Sequence, residues 1–254
     1  MKSILQELQN KKASGQKSLA VLIDPDKITD LSAIHQLISL ANESYVDYFF
    51  VGGSLITTDN LNQIVQLIKG ESEIPVVLFP GNNMHISNDA DAILFLSLIS
   101  GRNADLLIGQ HVNAAPFLNK SSLEILPTGY MLINSGSTSS ASYMSNTMPI
   151  PPDKYSIASS TALAGQMLGL KLIYMDAGSG SKSAINAKMI RKVNETINCP
   201  LIIGGGISST NLANDALMAG ADVIVIGNAI EKNPNLMIEV SEKIYDLNKS
   251  LDVH

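Results

Sequence analysis

The chain has no tryptophan, a single cysteine among its 254 residues, and only 5% aromatic residues. Cys199 alone excludes an internal disulfide, and its place at the start of an apolar run reads as a packed thiol rather than a nucleophile. A reducing cytoplasm fits. With so few rings, any long apolar ligand would have to be lined by leucine, isoleucine, valine and methionine. Basic residues are also scarce, 17 Lys and Arg against 23 Asp and Glu for a net charge of −6, and they form no cluster. That removes the electrostatic basis for holding nucleic acid or an anionic membrane surface, and points to small-molecule partners. No stretch reaches the roughly 18 apolar residues of a membrane span. Met1 to Gly15 reads as an amphipathic helix rather than a targeting segment.

What the sequence does contain is alternation. Short apolar runs at Leu19 to Ile23, Tyr48 to Val51, Pro75 to Phe79, Ala92 to Leu96, Leu126 to Ile133, Leu172 to Met175, Pro200 to Ile203 and Val223 to Ile226 make eight predicted strands. Between them lie helical patterns at Leu31 to Asn42, Asn60 to Lys69, Asp105 to Leu118, Ser156 to Leu168, Ser183 to Glu195, Thr210 to Ala219 and Met237 to Leu251, with Asp30, Asp59 and Ser209 as N-caps. Continuously apolar strands fit burial on both faces. Eight βα units in a length close to the ~250 residues typical of the fold predict one domain over residues 1–254, an α/β (β/α)8 TIM barrel. The third crossover, Pro80 to Asp91, is too short and turn-rich for a full helix, so the third outer helix should be short or missing, and the gap could admit a ligand tail. Ser135 to Pro152 reads as a long loop after strand five, preferred as a lid.

Glycine marks where such a barrel would work. Ile202-Ile203-Gly204-Gly205-Gly206 and Val225-Ile226-Gly227-Asn228 each end a strand in glycine before a helical pattern, presenting bare N–H groups at the mouth as a phosphate site does. Strand six ends Tyr174-Met175-Asp176-Ala177-Gly178-Ser179-Gly180, a nest that can donate to a phosphate. Asp176 could accept from polyol hydroxyls, and Tyr174, two residues earlier, points the same way.

Other strand ends carry charge. Asp24 could hold Mg2+, or it could cap a helix, as could Asp26; Ser54 could offer its hydroxyl to a metal or phosphate, or cap in turn. Lys27 follows the first strand. Arg102 could clamp a diphosphate or simply lie solvated at a helix start. Among the histidines, His35 reads as helix surface, His254 as tail and His111 as structural, and His85 has the best prospect of lining the site. These residues leave open another phosphate-binding barrel acting on a sugar phosphate, although only Lys27 ends a strand as a candidate Schiff-base lysine. A catalytically silent barrel that binds a phosphorylated metabolite is the other alternative.

Taken in order, Leu22-Ile23-Asp24-Pro25-Asp26-Lys27, Val51-Gly52-Gly53-Ser54, Leu78-Phe79-Pro80-Gly81-Asn82, Ser100-Gly101-Arg102-Asn103, Pro127-Thr128-Gly129-Tyr130, Tyr143-Met144-Ser145-Asn146-Thr147, Tyr174 to Gly180, Gly204 to Gly206 and Gly227-Asn228 resemble the geranylgeranylglyceryl phosphate synthases. The likeness is to the branch with archaeal and some bacterial members, and it covers nearly the whole chain. It implies an Mg2+-dependent prenyltransferase that joins the 3-hydroxyl of sn-glycerol 1-phosphate to a polyprenyl diphosphate, geranylgeranyl diphosphate first among them, through an ether bond. Carried over, the metal ligands fall on Asp24 and Ser54. The glycerol phosphate contacts fall on Tyr174, Met175, Asp176, Ala177, Gly178, Ser179 and Gly180, on Gly204, Gly205 and Gly206, and on Gly227 and Asn228. Asp176 and Tyr174 would hold the attacking hydroxyl, Asp176 would take its proton, and Lys27 and Arg102 would serve the diphosphate. Members commonly carry glutamate where this chain has Asp176. The resemblance also implies a homo-oligomer, dimer or hexamer.

Overall fold

Each apolar run becomes a strand, and the strands pair in parallel as a closed ring, β1 to β8 in chain order, in a computed structural model that describes residues 3–28, 30–57, 60–136 and 138–251. The strands are β1 (Ser18–Ile23), β2 (Tyr48–Gly52), β3 (Val76–Phe79), β4 (Ala92–Leu98), β5 (Glu124–Leu132), β6 (Leu172–Asp176), β7 (Leu201–Gly204) and β8 (Val223–Ile226). Alternate residues face opposite cores. Tyr48 and Phe50 of β2 fill the barrel with Leu94, Leu126, Leu172 and Val225, whereas Phe49 and Val51 pack outward against the helices. Both faces are dry, which is why the runs show no polar alternation.

The helices are α1 (Ile4–Ser14), α2 (Leu31–Asn42), α3 (Leu61–Glu71), α4 (Gln110–Leu118), α5 (Ser140–Ser145), α6 (Tyr155–Met167), α7 (Ala187–Asn194), α8 (Thr210–Met218), α9 (Asn228–Lys232) and α10 (Asn235–Leu251). Asp30 and Ser209 cap α2 and α8 as expected. Asp59 and His254 lie outside the described residues. Between β3 and β4 no helix forms among the described residues, as the turn-rich sequence requires.

Three expectations need correction. The loop after β5 is not structureless: Ser139 and Ser142 form a reciprocal capping box that starts α5. The helix expected from Ser183 begins only at Ala187, because Asn186 bends its side chain onto the Lys188 N–H and acts as the cap. The helix expected from Asp105 opens as a π-turn over Asp105–Gly109. There the Asp105 carboxylate folds over Gly109, where a Cβ would lie 2.4 Å from Oδ1. Helix α9 follows Gly227 directly, where the glycine turn leads into a helical pattern, although the last bounded segment begins only at Met237.

At the bottom of the barrel, α1 closes the end. Ile4 and Leu8 join the inner core, and Glu124 accepts from the N–H groups of Ile4 and Leu5 and from the Ser3 hydroxyl. Around the same rim a repeated carboxylate grip fixes the strands. Asp47, Asp91 and Asp222, each one residue before its strand, donate their N–H to the carbonyls of Leu19, Val76 and Leu201. Their side chains accept the N–H of those same residues, at 2.8, 2.7 and 2.9 Å. Lysines neutralise them: Lys11 on Asp47, Lys69 on Asp91, and Lys12 with Lys17 on Asp222. Before β6 the equivalent residue is Lys171, whose N–H donates to Pro127. Proline has no N–H to satisfy, so no carboxylate is needed there.

Asp222→Ala should therefore strand the Leu201 N–H and two lysines. Because the lysines are partly exposed, the expected loss is about 3 kcal/mol, the low end for a broken buried pair, read as a lower midpoint in urea unfolding.

Candidate functional site

The glycine turns after β6, β7 and β8 converge at the C-terminal mouth. Gly178 and Gly180 have φ of 94° and 72°, and Gly205 and Gly206 of 80° and 71°, all in the region where a side chain is strained. Gly205 lies directly over the β6 turn: a Cβ there would fall 2.7 Å from Asp176 Oδ1 and 2.8 Å from the amide nitrogens of Ala177 and Gly178. A side chain would fill this cradle. The amides of Ser179, Gly180, Gly205 and Gly206 donate to no protein acceptor among the described residues. Such a nest suits an anion. Asn228 ties it to the first strand, donating to Ser179 Oγ at 3.3 Å and accepting from Lys27 Nζ. Lys27 also faces Asp24 at 3.6 Å and Glu231 at 3.7 Å. The structure therefore joins Lys27 to the cradle through Asn228.

Below the cradle, Asp176 and Tyr174 do share the inner face. Tyr174 is 1% exposed and packs in an aromatic cluster, stacked on Phe79 and edge-on to Tyr130. Its hydroxyl end lies against Gly204, where a Cβ would stand 2.5 Å from Oη. Asp176 is held by a residue the sequence reading did not assign: Tyr130 donates its hydroxyl to Oδ2 at 2.5 Å, while the Gly178 N–H donates to Oδ1 at 2.7 Å. The register opposes Tyr130 to Tyr174 across β5 and β6, so inward parity along β5 was the available signal. Burial pushes the Asp176 carboxyl up, against the pull of its bonds to Tyr130 and Gly178. Burial, helped by the Asp176 charge, drives both tyrosines well above the ordinary phenol value, so they stay protonated.

On the far side of the mouth, Asp24 caps the turn over Pro25–Lys27, accepting the Asp26 N–H at 3.2 Å. Its carboxylate rests on Gly53, 3.2 Å from where a Cβ would be, and so beside Ser54. Asp26 reaches across to the N–H and hydroxyl of Thr57, at 2.7 and 2.8 Å. No group of three acidic, histidine or cysteine residues is placed to hold a metal among the described residues. One carboxylate with a hydroxyl nonetheless fits Mg2+, which keeps most of its shell for water and phosphate oxygens.

From Ser54 an apolar groove of about 320 Å3 runs over β4. Its walls include Leu96 and Leu98 of β4, Ile86 of the β3–β4 connection, His111 and Ala114 of α4, and Met144 of α5. It thus passes between the β3–β4 connection and α4, on the side where the third helix is missing. His111, on its wall, faces Ser97 Oγ at 3.2 Å and is held towards neutrality by burial, which outweighs the Leu96 carbonyl. Burial likewise lowers His85, against the field of Asp26. His35 pairs with Glu71 on the surface, and burial pushes the Cys199 thiol up.

Arg102 is placed elsewhere. Its guanidinium donates to the carbonyls of Ile99 and Gly101, at 3.3 and 2.7 Å. It lines a separate surface pocket with Thr147 and Pro149, and is absent from the lining of the groove beside Ser54. Both bonds come from one terminal nitrogen, Nη1, so the donors on Nη2 and Nε are not used by these carbonyls.

Fold and mouth together define a (β/α)8 barrel with an anion cradle set beside an apolar groove. The chain belongs to the PcrB family, whose profile matches residues 13–244. It is 52% identical over 244 residues to the geranylgeranylglyceryl phosphate synthase of Spirosoma linguale, covering 96% of this chain and 98% of the relative. With that of Korarchaeum cryptofilum it shares 41% identity over 224 residues, 88% of this chain and 91% of the relative. Among solved structures, (S)-3-O-geranylgeranylglyceryl phosphate synthase from Thermoplasma acidophilum, in complex with substrate sn-glycerol-1-phosphate, superposes with a TM-score of 0.90 at 30% identity. That match covers 97% of this chain and all of the other, 100%.

Gly205→Ala combines a left-handed backbone with a clash against the cradle. A loss of roughly 2–3 kcal/mol is expected, checked by urea unfolding; an unchanged midpoint would contradict the packing described.

Proposed function

We propose that this chain is a prenyltransferase that joins the 3-hydroxyl of sn-glycerol 1-phosphate to a polyprenyl diphosphate through an ether bond and releases diphosphate. The observation that carries this reading is the meeting, at one barrel mouth, of an anion cradle with an apolar groove of about 320 Å3. A phosphorylated triol and a long apolar tail need those two surfaces. The Thermoplasma acidophilum relative, which shares the fold, was captured with sn-glycerol-1-phosphate.

In this reading the headgroup phosphate lies on the free amides of Ser179, Gly180, Gly205 and Gly206, with Asn228 and Lys27 beside it. The 3-hydroxyl oxygen forms its bond to prenyl C1 as the C1–O bond to diphosphate breaks, the electron pair leaving with the diphosphate. The hydroxyl proton passes to Asp176. Its raised carboxyl pKa suits a proton acceptor, and Tyr130 with the Gly178 N–H fixes its orientation. Holding both reactants at one mouth turns the encounter into an effectively unimolecular step. When bound, Mg2+ would be held by Asp24 and Ser54 and would stabilise the negative charge of the departing diphosphate. Self-association belongs to the same proposal, with exposed Ile108, Val112 and Phe117 on the α4 side as the apolar surface.

Incubation with radiolabelled sn-glycerol 1-phosphate and a ladder of prenyl diphosphates should give a labelled ether lipid; no product with any tail would refute the reading. Asp24→Asn should lower turnover about a hundredfold or more while glycerol phosphate binding, measured by calorimetry, stays within about twofold.

Tyr130→Phe supplies a pH test. Tyr130 lowers the Asp176 pKa, so its removal raises that pKa further. A base must be unprotonated, and activity is lost as pH falls through its pKa, so the acid limb of kcat/KM should move to higher pH. An unmoved limb would count against Asp176 as the base.

A further inference from the structure

Lys27 stands between two sites and is fully committed to neither. Its ammonium donates to Asn228 Oδ1. An ammonium cannot accept a hydrogen bond, so the Asn228 carboxamide can present only its oxygen to Lys27, and its NH2 must face the other way. There Nδ2 donates to Ser179 Oγ at 3.3 Å and lies 3.8 Å from where a Cβ of Gly180 would be, against the anion cradle. Two protons of the ammonium remain. The carboxylates that face it, Asp24 Oδ2 at 3.6 Å and Glu231 Oε1 at 3.7 Å, are within ion-pair reach but beyond hydrogen-bond distance. Lys27 therefore feels both charges while keeping two donors without a protein hydrogen-bond acceptor among the described residues.

Asp24 divides its oxygens. Oδ1 accepts the Asp26 N–H at 3.2 Å, which leaves Oδ2 for a cation, and Oδ2 is the oxygen that Lys27 faces. The Lys27 ammonium and an Mg2+ held by Asp24 and Ser54 thus draw on the same oxygen. Once that oxygen is taken, Lys27 loses its attraction to the first strand and is repelled by the added positive charge. Its own charge and its two open donors then turn to the side of Asn228, where the cradle lies.

We infer that Lys27 couples the two reactant sites: it binds the headgroup phosphate, and it does so more strongly when Asp24 holds Mg2+. The inference rests on the proposed prenyl transfer for what occupies the cradle, and adds the residue through which one site senses the other. Coupling of this kind is reciprocal, so a headgroup on the cradle also tightens the metal site. The headgroup is held most tightly when the diphosphate and its metal are in place, and the two reactants are retained together.

The test is calorimetry of sn-glycerol 1-phosphate binding with no prenyl substrate present. Relative to EDTA, Mg2+ should tighten binding to wild type about threefold to fivefold, the scale of one partly exposed ion pair, and Lys27→Met should cut that gain to below about 1.5-fold. In EDTA, Asp24→Asn removes the competing charge, so it should bind about threefold to fivefold more tightly than wild type; with Mg2+ the two should agree within about twofold. The gain from Asp24→Asn should vanish in the Lys27→Met background, whereas a direct field effect of the lost carboxylate would persist there. The inference is overturned if wild type does not bind sn-glycerol 1-phosphate, or if Mg2+ leaves its affinity unchanged or lowers it. It is also overturned if Lys27→Met keeps the full magnesium gain, or if the Asp24→Asn gain survives without Lys27. Wild type that forms the ether lipid but gives any of these results defeats this inference alone. Wild type that shows the coupling yet makes no ether lipid with any tail defeats the transferase reading and upholds Lys27 as the link between the metal carboxylate and the cradle.

Discussion

The carboxylate grip at the bottom rim fixes the register of three strand pairs, β1 with β2, β3 with β4 and β7 with β8. Asp47, Asp91 and Asp222 each hold one residue of the neighbouring strand by both its N–H and its carbonyl, and a slip of register would break both bonds at once. Because side chains alternate, a shift by one residue would also exchange the inner and outer faces of a strand. Asp176, Tyr174 and Tyr130 point inward at one level only while β5, β6 and β7 keep the pairing Tyr130↔Tyr174 and Asp176↔Gly204. Between β5 and β6, where no carboxylate grips, the backbone ladder alone keeps that level.

Above that level the chain separates two tasks. One half of the mouth is backbone: amides freed by glycine conformations, with Gly205 bare so that the β6 turn stays open. The other half is side chain: Asp24, Ser54 and the Asn82–His85 turn, interlocked through Gly53 and Gly81. Backbone donors lose little entropy when they bind, because the ring of strands has already fixed them. Lys27 and Asn228 link the halves.

Much of this was legible in the sequence. All eight strands were, because full burial leaves uninterrupted apolar runs, and so were the missing third helix and the glycine turns, because both depend on local conformation. What stayed hidden depends on partners distant in sequence. Tyr130 reads as one more apolar strand residue until the register sets it against Asp176. The rim aspartates look like strand-start punctuation, although the recurrence of Val46-Asp47, Ala90-Asp91 and Ala221-Asp222 before strands was there to be seen. Arg102 is an isolated cation in the sequence, and nothing local says that its own carbonyls would bind it. Helix α5 was lost in a Ser-rich stretch because serine serves caps and loops equally well.

The absent helix between β3 and β4 leaves the groove with unequal walls. One side is strand, whose ladder bonds cannot yield without opening the barrel. The other side is the irregular chain of residues 80–91, facing α4 with its proline-broken bonding at Pro116. A guest too long for the space would press on the compliant side first. The strain would be shared among turns and side chains, and each added carbon would cost a little more than the last, so size discrimination in such a channel is a slope and not a step.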